Sequence, residues 1–146
     1  MVSMAQVAAA VVTELNGHTF STPLAAVRSY YPVYKREEMD TLHVTVVPAG
    51  SDYSLSDRTT IGRDFTVDIS VQKAVSPKDL VAVDSLVALV EEVADFFLGR
   101  RLSALVCGVC PHVAMAPGSE RGYIEEHMET LTLFTGVIQV TVRVVE

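Results

Sequence analysis

A regular alternation of apolar and polar side chains marks the clearest strand of the chain. In residues 64–72 every second side chain is apolar, from Phe65 to Val71. Successive side chains of a strand point to opposite faces of a sheet, so this pattern predicts one buried face and one wet face. The segment Phe134–Val144 repeats the pattern and predicts a long closing strand, with Gly136 as a bulge or kink.

Two segments instead have apolar residues at helical spacing. The first predicted helix runs from Ser3, which can form a capping box with Gln6, to Leu15. The second predicted helix has Ser76 as its N-cap and continues through Phe97. Each apolar stripe has to pack against a sheet or another helix to be buried.

The remaining segments are less regular. Phe20–Tyr34 contains two prolines and predicts an irregular edge strand, whereas Leu42–Val46 predicts a regular one. Ser51–Gly62 is polar and predicts an extended connection. Leu102–Cys110 predicts a short strand, and Pro111–His127 predicts a loop with a strand fragment near Val113.

These elements follow the order α–β–β–β–α–β–β. Because neighbouring strands are joined mostly without helices, the order predicts an α+β fold. We expect a single domain over residues 1–146, with a mainly antiparallel β-sheet and two α-helices packed on one of its faces.

Composition narrows the class of protein. The 146 residues are 49% hydrophobic, which excludes a disordered chain, and the net charge of −7 argues against binding to nucleic acid through its phosphates. The apolar N-terminal stretch has no preceding Lys or Arg and is interrupted by Gln6, so we expect no signal peptide and no membrane span. We expect a soluble protein made in the cytosol.

Cys107 and Cys110 form the most suggestive chemical motif. Two thiolates at this spacing can bind zinc, but a structural zinc site usually needs four ligands, and there is no second pair. We favour two small residues buried at a strand end. We expect no metal and no cofactor.

Other candidate groups also have simpler explanations. The acidic residues around Glu91 and Glu125 could bind Mg²⁺ or act as acid and base, but those around Glu91 suit the solvated face of the second helix, and we favour a solvated role for both groups. The four histidines lack metal-binding spacing. Tyr30, Tyr31 and Tyr34, interleaved with basic residues, could stack on single-stranded nucleic acid, but the nearby acids favour a protein interface. The sequence therefore favours a protein that is not an enzyme.

Several segments together resemble a known group of viral proteins. They are Phe20–Pro23, Ala26–Tyr30, Leu42–Pro48, Asp68–Lys73, Asp84–Glu92, Phe97–Leu102 and Phe134–Thr141. Over nearly the whole chain they are similar to the tail terminator, tail-completion and neck proteins of tailed phages and prophages.

The resemblance implies a virion structural protein of the tail and neck, made in the host cytoplasm. It implies a homo-oligomeric ring, expected to be a hexamer, that caps the tail tube and joins it to the neck. The implied partners are the tail tube protein and neck or connector proteins, and DNA would pass through the lumen without specific binding. Two alternatives stay open: a head–tail connector or neck adaptor, and a small metal-dependent enzyme.

Four apolar side chains lie in segments without core periodicity. They are Tyr53 and Leu55 in the first long connection, and Tyr123 and Met128 in the second. We predict that they contact neighbouring subunits or the tube. The alternative is that they fix their own loops to the domain.

Overall fold

The computed structural model describes residues 2–30, 40–55, 58–103, 105, 108–119 and 121–145, without the side chains of residues 130 and 131. In these residues the elements are α1 (Met4–Asn16), β1 (Ala26–Arg28), β2 (His43–Leu55), β3 (Ile61–Ala74), α2 (Leu80–Phe97), β4 (Gly108–Met115), α3 (Glu125–Leu131) and β5 (Leu133–Val145).

The strands form one sheet in the order β1-β2-β3-β5-β4. Only β1 and β2 run parallel in the described part of the chain, and the other pairs are antiparallel. The prediction of an α+β fold with a mainly antiparallel sheet is confirmed. β1 lies at the edge of the sheet, as the prolines of the longer segment Phe20–Tyr34 predicted.

The core lies between one face of the sheet and the helices α1 and α2. The apolar residues of β3, from Phe65 to Val71, are completely buried, as the alternation predicted. Val11 of α1 and Val90 of α2 belong to the same buried cluster. The two predicted helices therefore pack on one sheet face, and α3 is a third helix that the sequence did not predict.

The N-termini of the two long helices differ in how well the sequence located them. The capping box of α1 is present: Ser3 Oγ accepts from Gln6 N at 3.2 Å, and Gln6 Oε1 accepts from Ser3 N at 2.8 Å. The N-cap of α2 is Asp79 rather than Ser76. Ser76 instead closes a turn, because its carbonyl accepts from Asp79 N at 3.0 Å.

The polar connection predicted over Ser51–Gly62 is mostly strand. β2 and β3 pair continuously from His43 opposite Gln72 to Leu55 opposite Ile61. A register shift after Pro48 accommodates this residue, which has no N–H to donate. The polar residues are therefore stabilised by cross-strand pairing, which local sequence does not reveal.

The segment predicted as a loop over Pro111–His127 also contains regular structure. β4 extends to Met115 and places Pro111 at a register shift in an edge strand, where proline is tolerated. The short strand predicted over Leu102–Cys110 begins only at Gly108, apart from an isolated bridge between Arg101 and Val109.

Gly136 is not a bulge. It pairs in register with Val71, and its role is to allow close packing. A Cβ at this position would lie 2.6 Å from Gly122 O and 2.8 Å from Val90 Cγ2. Glycine is therefore required by the close approach of α2 and Gly122 to the sheet.

Candidate interaction surfaces

The pairing of β2 and β3 continues to the end of the sheet, where it forms a ribbon that we call the hairpin arm (residues 52–55 and 58–63). Tyr53 is 64% exposed, Leu55 77% and Ile61 38%. Cross-strand register pairs Leu55 with Ile61 and Tyr53 with Arg63. The three apolar side chains therefore share one face, which continues the helix-side face of the sheet past the core.

Arg63 holds the base of the hairpin arm. Its guanidinium carbon lies 4.5 Å from the ring centroids of both Tyr53 and Phe65. Nη2 donates to Tyr53 Oη at 2.9 Å, and Nη1 donates to the carbonyl oxygen of Val2. The buried Arg63 cation thus lies between two aromatic rings, and its hydrogen bond to Val2 links the arm to the N-terminal segment.

A second exposed apolar surface lies at the start of α2. Leu80 is 70% exposed and Val81 77%. Val81 lies one turn before Ser85, whose Oγ donates to Val81 O at 3.0 Å. Ser85 lines a groove of about 440 Å³ between the end of β3 and α2. The residues that line the groove are Thr22, Lys73, Ala74, Val75, Ser76, Asp79, Ala82, Ser85 and Leu86. Leu80 and Val81 lie beside this groove rather than in it, and we call these two residues the α2 entry surface.

The four predicted contact residues fall into two pairs. Tyr53 and Leu55 are exposed on the hairpin arm. Tyr123 packs against the core and lies 5.9 Å from the ring of Phe134, and Met128 is only 6% exposed. Tyr123 and Met128 thus pack on their own domain, and a contact role for all four residues stays a prediction, which we carry forward for the exposed Tyr53 and Leu55.

Three surface residues were missed by the sequence analysis: Ile61, Leu80 and Val81. Leu80 belongs to the apolar residues of the second predicted helix, but the buried face of α2 is formed by Leu86, Leu89, Val90, Val93 and Phe97 and leaves Leu80 exposed. The sequence feature that indicates exposed apolar residues is the continuous apolar run from Leu80 to Val83. Four consecutive residues are wider than one helix face can bury.

The best-connected charged group, Glu14, is structural. Its buried carboxylate accepts from Arg100 Nε at 2.7 Å, from Ser103 N at 2.6 Å and from Ser103 Oγ. Burial raises the pKa of Glu14, but the hydrogen bonds from Ser103 and Arg100 outweigh it and hold the pKa below its usual value. The group ties α1 to the segment after α2.

The cysteine motif lies only partly within the described residues. Cys110 is completely buried, and Cys107 is outside the description. Burial, together with the charge of Glu14, raises the pKa of Cys110 to about 12, although Arg100 acts in the opposite direction. Such a thiol is a poor nucleophile and a poor metal ligand. In the part of the chain that the structure describes, no three His, Cys, Asp or Glu side chains are grouped to hold a metal.

The other candidate groups are engaged in local contacts. Glu92 accepts from Ser21 N at 3.1 Å, and Glu125 pairs with Arg121 at 3.2 Å. His18 packs against Phe96, with 4.4 Å between ring centroids. Tyr30 is exposed, whereas Tyr31 and Tyr34 lie outside the described residues. No helix of the described chain is sufficiently long and apolar to cross a bilayer.

Comparison with known proteins finds a likeness of structure rather than of sequence. No known protein family matches the sequence, and no curated protein matches it either. The fold is similar to a chain of the cryo-EM structure of an extracellular contractile injection system, described as the PVC sheath/tube terminator in the extended state. The TM-score is 0.53 at 12% sequence identity, over 100% of this chain and 57% of the other. The chain thus spans little more than half the length of that neighbour.

Proposed function

We propose that this protein is a tail terminator subunit of a tailed phage or prophage. In this role copies of the chain form a ring, a hexamer in our proposal, that caps the tail tube and joins it to the neck. The observation that supports the proposal is the likeness of fold, over the full length of the chain, to a sheath/tube terminator of a contractile injection system.

The proposed mechanism is contact between subunits rather than chemistry. Two exposed apolar surfaces, the hairpin arm and the α2 entry surface, are available for neighbouring subunits or the tube. The buried acid Glu14 is fully engaged by Arg100 and Ser103, so it is unsuited to act as a general base. These features favour a structural protein over an enzyme.

The negative charge of the chain suits a ring through which DNA passes. The net charge is −7, and a surface of that sign releases few counterions from DNA and so binds it weakly. We propose that the genome passes through the lumen without specific binding. In the mature particle the protein would lie in the virion, between the tube and the neck.

The test is assembly with the tube protein of the same phage. Native mass spectrometry of the purified chain should give a closed ring, and electron microscopy should show it at one end of tubes that have stopped growing. Tube elongation at an unchanged rate would contradict the proposal. If the chain binds the portal-side complex without stopping tube growth, the neck adaptor is the correct assignment instead.

A further inference from the structure

We infer that two copies of the chain pair through the open edge of β2, residues 51–55, and so extend one sheet into the other. The partner is a second copy of this chain, with its edge antiparallel to the first about a two-fold axis. The inference goes beyond the proposed function, because such an isologous contact joins two copies and does not itself close a ring.

The outer edge of β2 is covered by β1 over only part of its length. β1 pairs with residues 44–46 of β2, whereas β3 pairs with β2 from His43 to Leu55. Among the residues that the structure describes, residues 47–55 of β2 therefore have a neighbouring strand on one side only. The backbone N–H and C=O groups along such an edge can pair with a further strand.

One hydrogen bond shows which residues of β2 face outward. Val46 O accepts from Ser29 N at 3.0 Å, on the β1 side, so the backbone groups of Val46 point away from β3. Val46 lies opposite Ile69, and in an antiparallel ladder every second residue has the same orientation. β3 keeps its alternation past the register shift, so the β2 residues opposite residues 65, 63 and 61 also point outward. These residues are Ser51, Tyr53 and Leu55.

The features that usually protect a sheet edge end before this stretch. Pro48 has no N–H, and the register shift beside it disrupts the edge up to Gly50. Residues 51–55 contain no proline and no lysine, and residues 52–55 are exposed. Arg63 donates to Tyr53 Oη at 2.9 Å and holds this part of β2 in place. A pre-formed edge loses little conformational entropy when a strand pairs with it.

The open edge is complementary to itself in one register. When Tyr53 lies opposite Tyr53 of the second copy, Ser51 lies opposite Leu55, and all of these residues point their backbone groups at the partner. Each such pair exchanges two N–H···O bonds. Displacing one copy by two residues leaves fewer pairs, and in one direction it places the two Asp52 carboxylates directly opposite each other, which is destabilising.

The side chains are compatible with this register. On the helix-side face the two Tyr53 rings lie side by side, and Leu55 and Ile61 of each copy continue the apolar row. On the other face Asp52 lies opposite Ser54 of the second copy, and the two Asp52 residues are diagonal neighbours with Cα atoms about 7–8 Å apart. The adjoining residues 47–50 carry no charge.

Disulfide trapping tests the register. One chain carries Asp52→Cys and the other Ser54→Cys, both at exposed positions that would face each other with Cα atoms about 4.5 Å apart, within the range of a disulfide. We expect the oxidised mixture to give a 52–54 bridge, identified by peptide mass spectrometry, and each variant alone to give at most about a tenth of that yield. Asp84→Cys mixed with Ser85→Cys, both exposed on α2, is the control for random collisions.

The trapping experiment can contradict the inference in two ways. A 52–54 yield no higher than that of the α2 control overturns the pairing. Bridges from 52 to 52 or from 54 to 54 that equal the 52–54 yield overturn the register.

Removal of one outward N–H tests whether the backbone carries the contact. Ser51→Pro lacks the N–H that faces the second copy, and the thermal unfolding midpoint should stay close to that of wild type, because proline is tolerated at an edge where the N–H faces solvent. Added to both trapping chains, it should lower the bridge yield about tenfold or more, since a hydrogen bond is lost on each side of the two-fold axis. Ser51→Ala is the matched control and should trap as before. Equal yields for the two variants overturn backbone pairing.

The outcomes separate this inference from the proposed function. Bridges that form while tube growth continues unchanged support the pairing and contradict the terminator role. Tubes that stop growing while no bridge forms overturn the pairing alone. Trapping of position 54 to the tube protein instead of a second copy also overturns the pairing.

Discussion

The absence of a side chain at Gly136 allows α2 and Gly122 to pack closely on the sheet. A methyl group there would collide with Gly122 O and Val90 Cγ2, at 2.6 and 2.8 Å. We expect Gly136→Ala to lower the free energy of unfolding by about 1–3 kcal/mol, the usual cost of overpacking a core. Urea denaturation measures this loss. Gly50→Ala is the control, because a Cβ at Gly50 meets no atom within 4 Å; equal losses for both variants would contradict the packing argument.

Glu14 gives the protein an acid-sensitive link between α1 and the segment after α2. In Glu14→Gln the amide N–H₂ would face the donors of Arg100 and Ser103, so we expect a loss of about 1–3 kcal/mol in the free energy of unfolding at pH 7. The folded-state pKa of Glu14 lies below its usual 4.5. The stabilisation is therefore complete above pH 4.5 and disappears as the pH falls through the folded-state pKa.

Chemical denaturation across this pH range tests the Glu14 link. The difference in the free energy of unfolding between wild type and Glu14→Gln should be constant near neutral pH and become smaller in acid. Glu91→Gln removes the same charge from an exposed position and corrects for the overall charge. If this difference in the free energy of unfolding does not become smaller below pH 4.5, the Glu14 carboxylate is not the stabilising group.

Asp68 lowers the stability of the folded protein at neutral pH, whereas Glu14 raises it. Burial raises its pKa, a hydrogen bond with Gln139 acts against this, and Oδ1 is buried without a partner. Because the folded state disfavours ionisation, Asp68 costs stability as the pH rises through the unfolded-state and then the folded-state pKa. We expect Asp68→Asn to raise the melting temperature at pH 7 and to have little effect at pH 3. A melting temperature that falls at pH 7 would contradict this.

At the scale of elements, the hairpin arm depends on Arg63. In Arg63→Met the cation between the rings of Tyr53 and Phe65 is lost, which is worth about 1 kcal/mol. We expect backbone amides of the arm to exchange hydrogen roughly fivefold faster, while amides of α2 are unchanged. Arg58→Met removes an exposed cation of the same arm and should leave the exchange rates as they are.

The elements divide into those that local pattern predicts and those that only tertiary contacts form. α1 and most of β3 follow from periodicity, because one face of each is buried along its length. The hairpin arm does not, since its polar residues become strand through cross-strand pairing of β2 with β3 and not through an apolar alternation of their own. α3 has seven residues and ends at Thr132, which takes a left-handed φ of 48° where glycine is expected.

The exposed apolar residues also differ in how well the sequence predicts them. Tyr53 and Leu55 could be predicted because they are apolar residues in a polar segment. Leu80 is harder to predict, because it belongs to a continuous apolar run and only the packed helix shows which residues of that run are uncovered.

At the scale of the whole molecule, we expect the purified protein to hold no stoichiometric metal. The basis is the burial of Cys110 and the absence of a three-ligand group in the described chain. Elemental analysis should find no equivalent of zinc, and a chelator should leave the melting temperature unchanged. One equivalent of zinc that is lost in both Cys107→Ser and Cys110→Ser would support the metal-dependent alternative.

The two edges of the sheet limit how copies of this apolar protein can associate. β1 pairs over only three residues, and the β4 ladder is broken at Pro111. At the β4 edge the break at Pro111 interrupts the row of backbone groups that another strand could extend, whereas β1 covers only residues 44–46 of β2 in the described part of the chain. Backbone pairing between copies is thereby disfavoured at the β4 edge, where side chains determine which associations form.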